Sequence, residues 1–494
     1  MEYFVNCNMA TLAPYTVPLD KIKAAHLYRR LGFSASVQTI EAAEGQNAST
    51  LVDNLVNQAL AAPNIPAPAW ADWTNANYPA DDDLARDIKN TQISDFKLTY
   101  ANALLNNNLK DRLSFFWSNH FVTEFQVYEC TSFLYHYINC LQRNALGNFK
   151  TFVSEIGLTS AMLFYLDGVF NNGNNPNENY GRELYELFTL GDGNNYTEED
   201  IIETAKALTG YVERGEVGCT QVTFNPERHD PGSKTIFGRT GNWGYDDVIN
   251  ILFEERPNEI AAFICRKLYE FFVHPDSKDA TGNAEAIISG MATTFVTNNF
   301  EIAPVLRQLL MSAHFFDDTA VGVIIKSPYD LYLNLTKETN FTYSDDTLDS
   351  VINNCRLLSQ NMFNPFDVAG WQRDRSWINT NFMIGRWLTS EMFVQDFWNS
   401  NQEQFRTFGI DATGANGSTT NDPDEVARAI IDKITPKGLL TEIDYGAAID
   451  AFKEPYESDM VYQNNSWNMM LQNADSQVYL LLLHLVRQPE FQLK

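Results

Sequence analysis

Glu183 and Glu186 stand three residues apart in Asn177–Gly210, NENYGRELYELFTLGDGNNYTEEDIIETAKALTG. On a helix that spacing places both carboxylates on one side. There they could serve as an acid and a base, or as two oxygen ligands of a divalent cation. Arg182 carries the forked donor geometry that clamps an anionic group, and Asn177 and Tyr180 are further candidate substrate contacts. A second group is His229-Asp230-Pro231-Gly232 followed by Lys234. Asp230 could orient the imidazole, and a loop can present both to a cleft together with Lys234. His120, His26, Arg30 and Glu178 are supporting candidates.

Each group also has a purely structural reading. Glu178–Arg182 and Arg182–Glu186 are favourable i, i+4 pairs that need no substrate. Pro231 and Gly232 make an ordinary turn in which Asp230 bonds the backbone. His120, beside Trp117 and Asn119, lies on an apolar segment where a hydrogen-bonded core histidine is the commoner outcome. No H-E-x-x-H, G-x-S-x-G, P-loop or strand-linked G-x-G-x-x-G occurs in the chain. The asparagine-rich Asn171–Asn179 lacks the aspartates of an EF-hand.

The elements that must position these residues read as helices. Asp20–Leu31 is capped by Asp20 and closed by Gly32, and Ser36 caps the next helix. Ser49–Ala62 stops at Pro63. Residues 63–82 hold Trp70, Trp73 and Tyr78 among prolines, which predicts an ordered arm. Asp111–Glu124 is apolar over most of its circumference and reads as buried. Asn177–Gly210 reads as two helices joined by a glycine–asparagine turn, with Thr197 and Asp200 starting the second. Cys219–Phe224 and Lys234–Phe237 are β-branched and aromatic runs flanking the His229 turn, so a small β-hairpin excursion is expected near 219–237. Arg406–Asp422 reads as an exposed loop, and Asp422-Pro423 starts a helix. The fold class is mainly α, with an N-terminal helical region 1–150, a central motif region 151–275 and a C-terminal helical region 276–494. No clear linker separates them, and lobes of one body remain an alternative.

The 494 residues carry 35 basic and 63 acidic side chains, a formal charge of −28. That disfavours nucleic acid or an anionic membrane as principal partner. No apolar run approaches the roughly 20 residues that span a bilayer. Val478–Val486 reads as a buried helix, and the N-terminus shows no signal peptide. The six cysteines are scattered without a C-x-x-C pair, so buried free thiols are expected.

The ordered motifs resemble a bacterial family known as domain of unknown function 1800. His26–Phe33 (HLYRRLGF), Phe116–Phe121 (FWSNHF), the Asn177–Gly210 block, His229–Lys234 (HDPGSK), Arg266–Val273 (RKLYEFFV) and the closing Pro489–Gln492 carry the resemblance. It implies export and an envelope or secreted role, since many similar proteins are exported. Many members have histidine where this chain has Ser118 and Phe188, and proline at Ser160. If those histidines ligate a metal, this chain has lost ligands.

Two function classes follow. One is a hydrolase-like enzyme with Glu183 or Glu186 as general base or cation ligand, His229 and Asp230 as acid–base partners, and Arg182 as anion clamp. It requires these side chains to converge in one cleft. The other is a non-catalytic, envelope-associated binding or assembly protein. Its aromatic side chains would meet a polymer, carbohydrate or protein, while its motif charges form a buried structural network. A divalent cation held for stability alone is a third, narrower expectation.

Overall fold

Helix starts are set by local chemistry at the positions the sequence marks. The Asp20 side chain accepts the Lys23 N–H at 2.7 Å to open Lys21–Leu31. Thr197 and Asp200 cap each other's backbone N–H groups to open Glu198–Ala207. Asp422 caps Pro423–Ile434, which has proline in its first turn. The computed structural model describes residues 11–494 except 107–108, 214, 216, 276, 278–282, 414–421, 457–459 and 464–465. Helices dominate those residues, and one cluster of buried apolar side chains runs from Leu19 to Phe491. No helix is long and apolar enough to cross a membrane among the described residues.

The tryptophan-rich segment 63–82 packs as an ordered arm. Trp70 meets Phe96 edge-on at 5.5 Å, and Trp73 meets Tyr78 at 5.3 Å. The Tyr78 hydroxyl donates to Gln92 at 2.7 Å. Leu109–Ser118 is buried on nearly every side, although the helix ends at Ser118 rather than continuing to Glu124. Asn106, the last residue of a long helix, precedes 107–108, which lie outside the described residues.

Three expectations need correction. The β-hairpin excursion expected near 219–237 is present, but as two small hairpins, because the runs at 219–224 and 234–237 do not pair with each other. Strand β1 (Tyr211–Glu213) pairs antiparallel with β2 (Val222–Phe224), and β3 (Lys234–Ile236) pairs antiparallel with β4 (Arg239–Gly241). Each run takes the neighbour nearest in sequence, because the intervening Asn225–Ser233 segment is anchored elsewhere. The loop expected from Arg406 is helical up to Ala412, with residues 414–421 outside the described residues. Phe405 and Phe408 bury one side of that turn, while Arg406 donates to the Met469 and Leu471 carbonyls at 2.5 and 2.6 Å.

The third correction concerns the cysteines. Cys140, Cys265 and Cys355 are buried thiols as expected, and Cys7 lies outside the described residues. Cys130 and Cys219 instead form a disulfide across 89 residues, with Cα atoms 5.6 Å apart. It ties the turn between β1 and β2 to the start of the Thr131–Asn144 helix. Closing so long a loop restricts the unfolded chain, so Cys130→Ser should cost about 2–4 kcal/mol. Urea unfolding with and without reductant measures this, and a wild type indifferent to reductant would contradict the bond.

Candidate functional site

The central motif begins as the Asn179–Glu183 helix and continues as a π-helical turn over Leu184–Thr189. Arg182 is saturated by carboxylates. It meets Glu178 at 3.3 Å, Glu186 at 3.2 Å, and Glu198 in a two-pronged pair at 2.7 and 3.0 Å. Those bonds raise its guanidinium pKa further, with Glu198 contributing most. Tyr180 is buried, its hydroxyl 3.2 Å from that of Tyr245. A Cβ at Gly157 would lie 1.7 Å from the Tyr180 oxygen, so only glycine fits there. The Asn177 carboxamide accepts the Asn179 N–H at 2.9 Å, and the Asn177 backbone N–H donates to the Asn171 carboxamide oxygen at 2.9 Å. Glu183 differs from these. Burial, then the Glu186 charge, raises its carboxyl pKa, with Arg182 opposing.

The His229 loop closes on itself and on the end of the Glu198–Ala207 helix. Asp230 accepts the Gly232 N–H at 2.6 Å, and the buried Lys234 ammonium donates to the Asp230 carbonyl at 2.5 Å. The Asp230 N–H donates to the Thr209 hydroxyl at 2.8 Å. His229 Nδ1 lies 3.1 Å from the Thr209 carbonyl, which can only accept, so Nδ1 carries the proton. Arg182 grips Glu198 at one end of that helix, and His229 holds Thr209 just past the other. Ten residues of helix, about 15 Å long, therefore lie between the two anchor points. Among the described residues no hydrogen bond or ion pair joins Glu183 or Glu186 to His229, Asp230 or His120.

His120 does reach the motif, through backbone. Its Nε2 donates to the Phe188 carbonyl at 3.0 Å, which leaves Nδ1 to accept from the Lys267 ammonium at 3.2 Å. Phe188 packs against His120 and Phe121 with ring centroids 6.1 and 5.3 Å away. Ser118 is spent on the Phe115 carbonyl at 2.8 Å, and Ser160 on Gln221 at 2.7 Å. No group of three or more His, Cys, Asp or Glu side chains could hold a metal ion among the described residues. Burial, then Arg373, lowers the Lys267 ammonium to about 8, with Glu270 opposing.

Glu270 leads from this pair into a cleft that sequence reasoning did not single out. The cavity holds about 190 Å³ and is walled by Phe115, Phe116, Phe271, Trp371 and Trp377. Its floor is an ion cluster. Arg112 meets Asp330 at 2.8 Å, and the Lys494 ammonium meets the other Asp330 oxygen at 2.5 Å. All three side chains are at most 3% exposed. Asp330 also caps the Ser327 N–H and hydroxyl at 3.1 and 2.9 Å, opening the Pro328–Thr339 helix. The Arg112 guanidinium lies between the Phe33 and Phe271 rings, 4.4 and 4.7 Å from their centroids.

More cations stand behind that floor than anions. Arg29, Arg30, Lys326 and Arg386 are buried beside Arg112 and Lys494, against the carboxylates of Asp330 and Glu338. Arg29 pairs with Glu338 at 2.6 Å. Arg30 donates to the Ala320 carbonyl at 2.7 Å, and His26 bonds the Phe315 carbonyl at 3.0 Å, so neither meets the central motif's carboxylates. Burial pushes the Asp330 carboxyl up, but Arg112 and Lys494 overcome it and hold it below the ordinary range. Burial, then the Arg112 charge, lowers Lys494 to about 7.

Fold and cleft define a mainly helical protein with, among the described residues, two small antiparallel ribbons and an aromatic-walled cavity over buried charge. The chain belongs to the family described as protein of unknown function (DUF1800), whose sequence model matches residues 26–493. No curated protein and no solved structure matches it. Several of the segments that carry the resemblance meet at the cleft. Phe33 covers Arg112, Phe116 and Phe271 form wall, and Gln492 accepts from Arg386 at 2.7 Å beside Lys494.

Burial, then the Lys267 charge, holds His120 far below its ordinary pKa, against the Phe188 bond. The unfolded imidazole titrates near about 6.5, so stability from the neutral form is full above that pH. It is lost as pH falls toward the lowered folded value. His120→Gln keeps a donor for Phe188 and removes the titration. Between pH 6.5 and 5 its unfolding free energy should fall less steeply than wild type, by up to about 1.4 kcal/mol per pH unit. Equal slopes in urea titrations would contradict this reading.

Proposed function

We propose that this chain is a non-catalytic binding protein whose ligand site is the aromatic cleft above Asp330 and whose motif charges serve structure. The observation that carries the reading is the cleft itself. Ring walls over a few convergent polar groups are the usual make-up of a small-molecule site. The motif residues support it from the other side. Arg182, Asp230, Lys234, Tyr180 and Asn177 each bond partners within the fold. The Cys130–Cys219 disulfide supports work in an oxidising compartment such as a cell envelope.

A second reading retains a hydrolase-like site. Its support is Glu183, whose raised carboxyl pKa suits a general acid, and the Nδ1 tautomer of His229, which leaves Nε2 as a base. Saturation-transfer NMR with indole, a neutral ring probe, separates the two. The binding reading expects indole to contact the wild type and to lose that contact in Trp371→Leu. Indole binding unaffected by Trp371→Leu would overturn the cleft assignment. Hydrolysis of 4-nitrophenyl acetate or 4-nitrophenyl phosphate that disappears in Glu183→Gln would favour the carboxylate site instead.

A further inference from the structure

We propose that the cleft takes a small single-ring organic anion, its carboxylate or phosphate group seated against Arg112, Lys494 and the start of the Pro328–Thr339 helix. This rests on the cleft being the binding site, and adds the chemical class of what enters it.

Charge supplies the first argument. A buried cation is costly unless it is paired, and breaking such a pair is costlier still. The connected cluster beneath the cleft buries six cationic side chains, Arg29, Arg30, Arg112, Lys326, Arg386 and Lys494, around the carboxylates of Asp330 and Glu338. Asp330 alone serves the two cations at the cavity floor, Arg112 and Lys494, while the third lining cation, Arg373, pairs with Glu270. Among the described residues Arg112 Nε, Lys326 Nζ, Arg386 Nη1, and Arg30 Nε and Nη1 are buried with no hydrogen-bond partner, as are Asp330 Oδ1 and Glu338 Oε2, so the unpartnered cationic atoms outnumber the anionic ones. An anionic group brought against Arg112 and Lys494 would offset this excess.

The helix start adds to the same field. Ser327 and Asp330 line the cavity at the N-terminus of the 12-residue Pro328–Thr339 helix, whose dipole favours negative charge there. At the rim, Glu270 is already engaged by Arg373 at 2.8 Å and by the Ser277 hydroxyl at 2.5 Å. Asp374 is the remaining carboxylate lining the cavity. The rim thus has one carboxylate more than it has cations, while at the floor Arg112 and Lys494 outnumber Asp330.

Shape fixes the rest of the ligand. A dry apolar cavity of about 150 Å³ accommodates benzene, and this one holds about 190 Å³. Phe115, Phe271 and Trp371 line that space, with the Phe115 and Trp371 rings 4.9 Å apart. One ring with one anionic substituent fills it, whereas a polymer would have to leave most of its length outside. The chain's overall charge of −28 repels anions at long range. Selection must therefore come from the floor and not from the surface.

Calorimetry with phenyl phosphate and with phenol, its neutral ring counterpart, tests the assignment on the full chain. Phenyl phosphate should bind at least ten-fold more tightly than phenol. Lys494→Met should remove that advantage while leaving phenol binding intact, and Lys494→Arg should retain it. A co-crystal structure of the wild-type chain with phenyl phosphate decides the location without any substitution, and should place phosphate oxygens on Arg112 and Lys494. Equal affinities, or an advantage that survives Lys494→Met, would overturn the anion assignment and leave the binding reading standing. Failure of both compounds to bind would overturn the cleft reading itself.

Discussion

One carboxylate shared by two cations sets the terms for much of this fold. Arg112, Asp330 and Lys494 come from distant parts of the chain and are all withdrawn from water. A buried pair tolerates no missing member, because the survivor keeps its desolvation cost without its partner. The surrounding backbone is arranged to keep the set complete. Ile324 and Lys494 exchange backbone hydrogen bonds at 2.9 and 3.4 Å, which brings the closing residues alongside the segment that leads into Ser327. Ser327 and Asp330 cap one another, so the same carboxylate that neutralises the cations also starts a helix. Phe33 and Phe271 close over Arg112, and the cleft is the space left above.

The central motif is tied to this region through uncharged groups. The π-helical turn leaves the Phe188 carbonyl available to His120, which fixes the imidazole tautomer. That tautomer lets His120 accept from Lys267, one helical turn from Glu270 at the cleft rim. His120 therefore connects the two regions while staying neutral. Arg182 and its three carboxylates lie on a partly exposed surface, where ion pairs contribute little individually. Their density in the sequence reflects local helix pairing more than a place where charge is buried.

What was legible in the sequence is what local chemistry decides. Asp20, Ser36, Thr197 with Asp200, and Asp422-Pro423 announce helix starts because the capping partner lies within three residues. Two of the Arg182 pairs were legible from their i, i+4 spacing, whereas Glu198, 16 residues on, was not. The disulfide joins positions 89 apart, and no spacing rule signals it. Strand partners were misjudged because the His229 segment is fastened to Thr209 and is not a free connecting loop. Asp330 reads locally as a helix cap, and its role as counter-ion depends on residues more than 150 positions away in either direction. The cleft was illegible for the same reason. Its walls come from segments that only the finished fold brings together.

Urea unfolding of Asp330→Asn beside Arg182→Ala tests most directly whether the buried cluster, and not the charged motif, holds the structure. Asp330→Asn leaves Arg112 and Lys494 buried without their carboxylate and should cost about 3–5 kcal/mol. Arg182→Ala removes half-exposed pairs and should cost no more than about 1 kcal/mol. A mild Asp330→Asn with a severe Arg182→Ala would contradict the account and move the organising role to the motif helix.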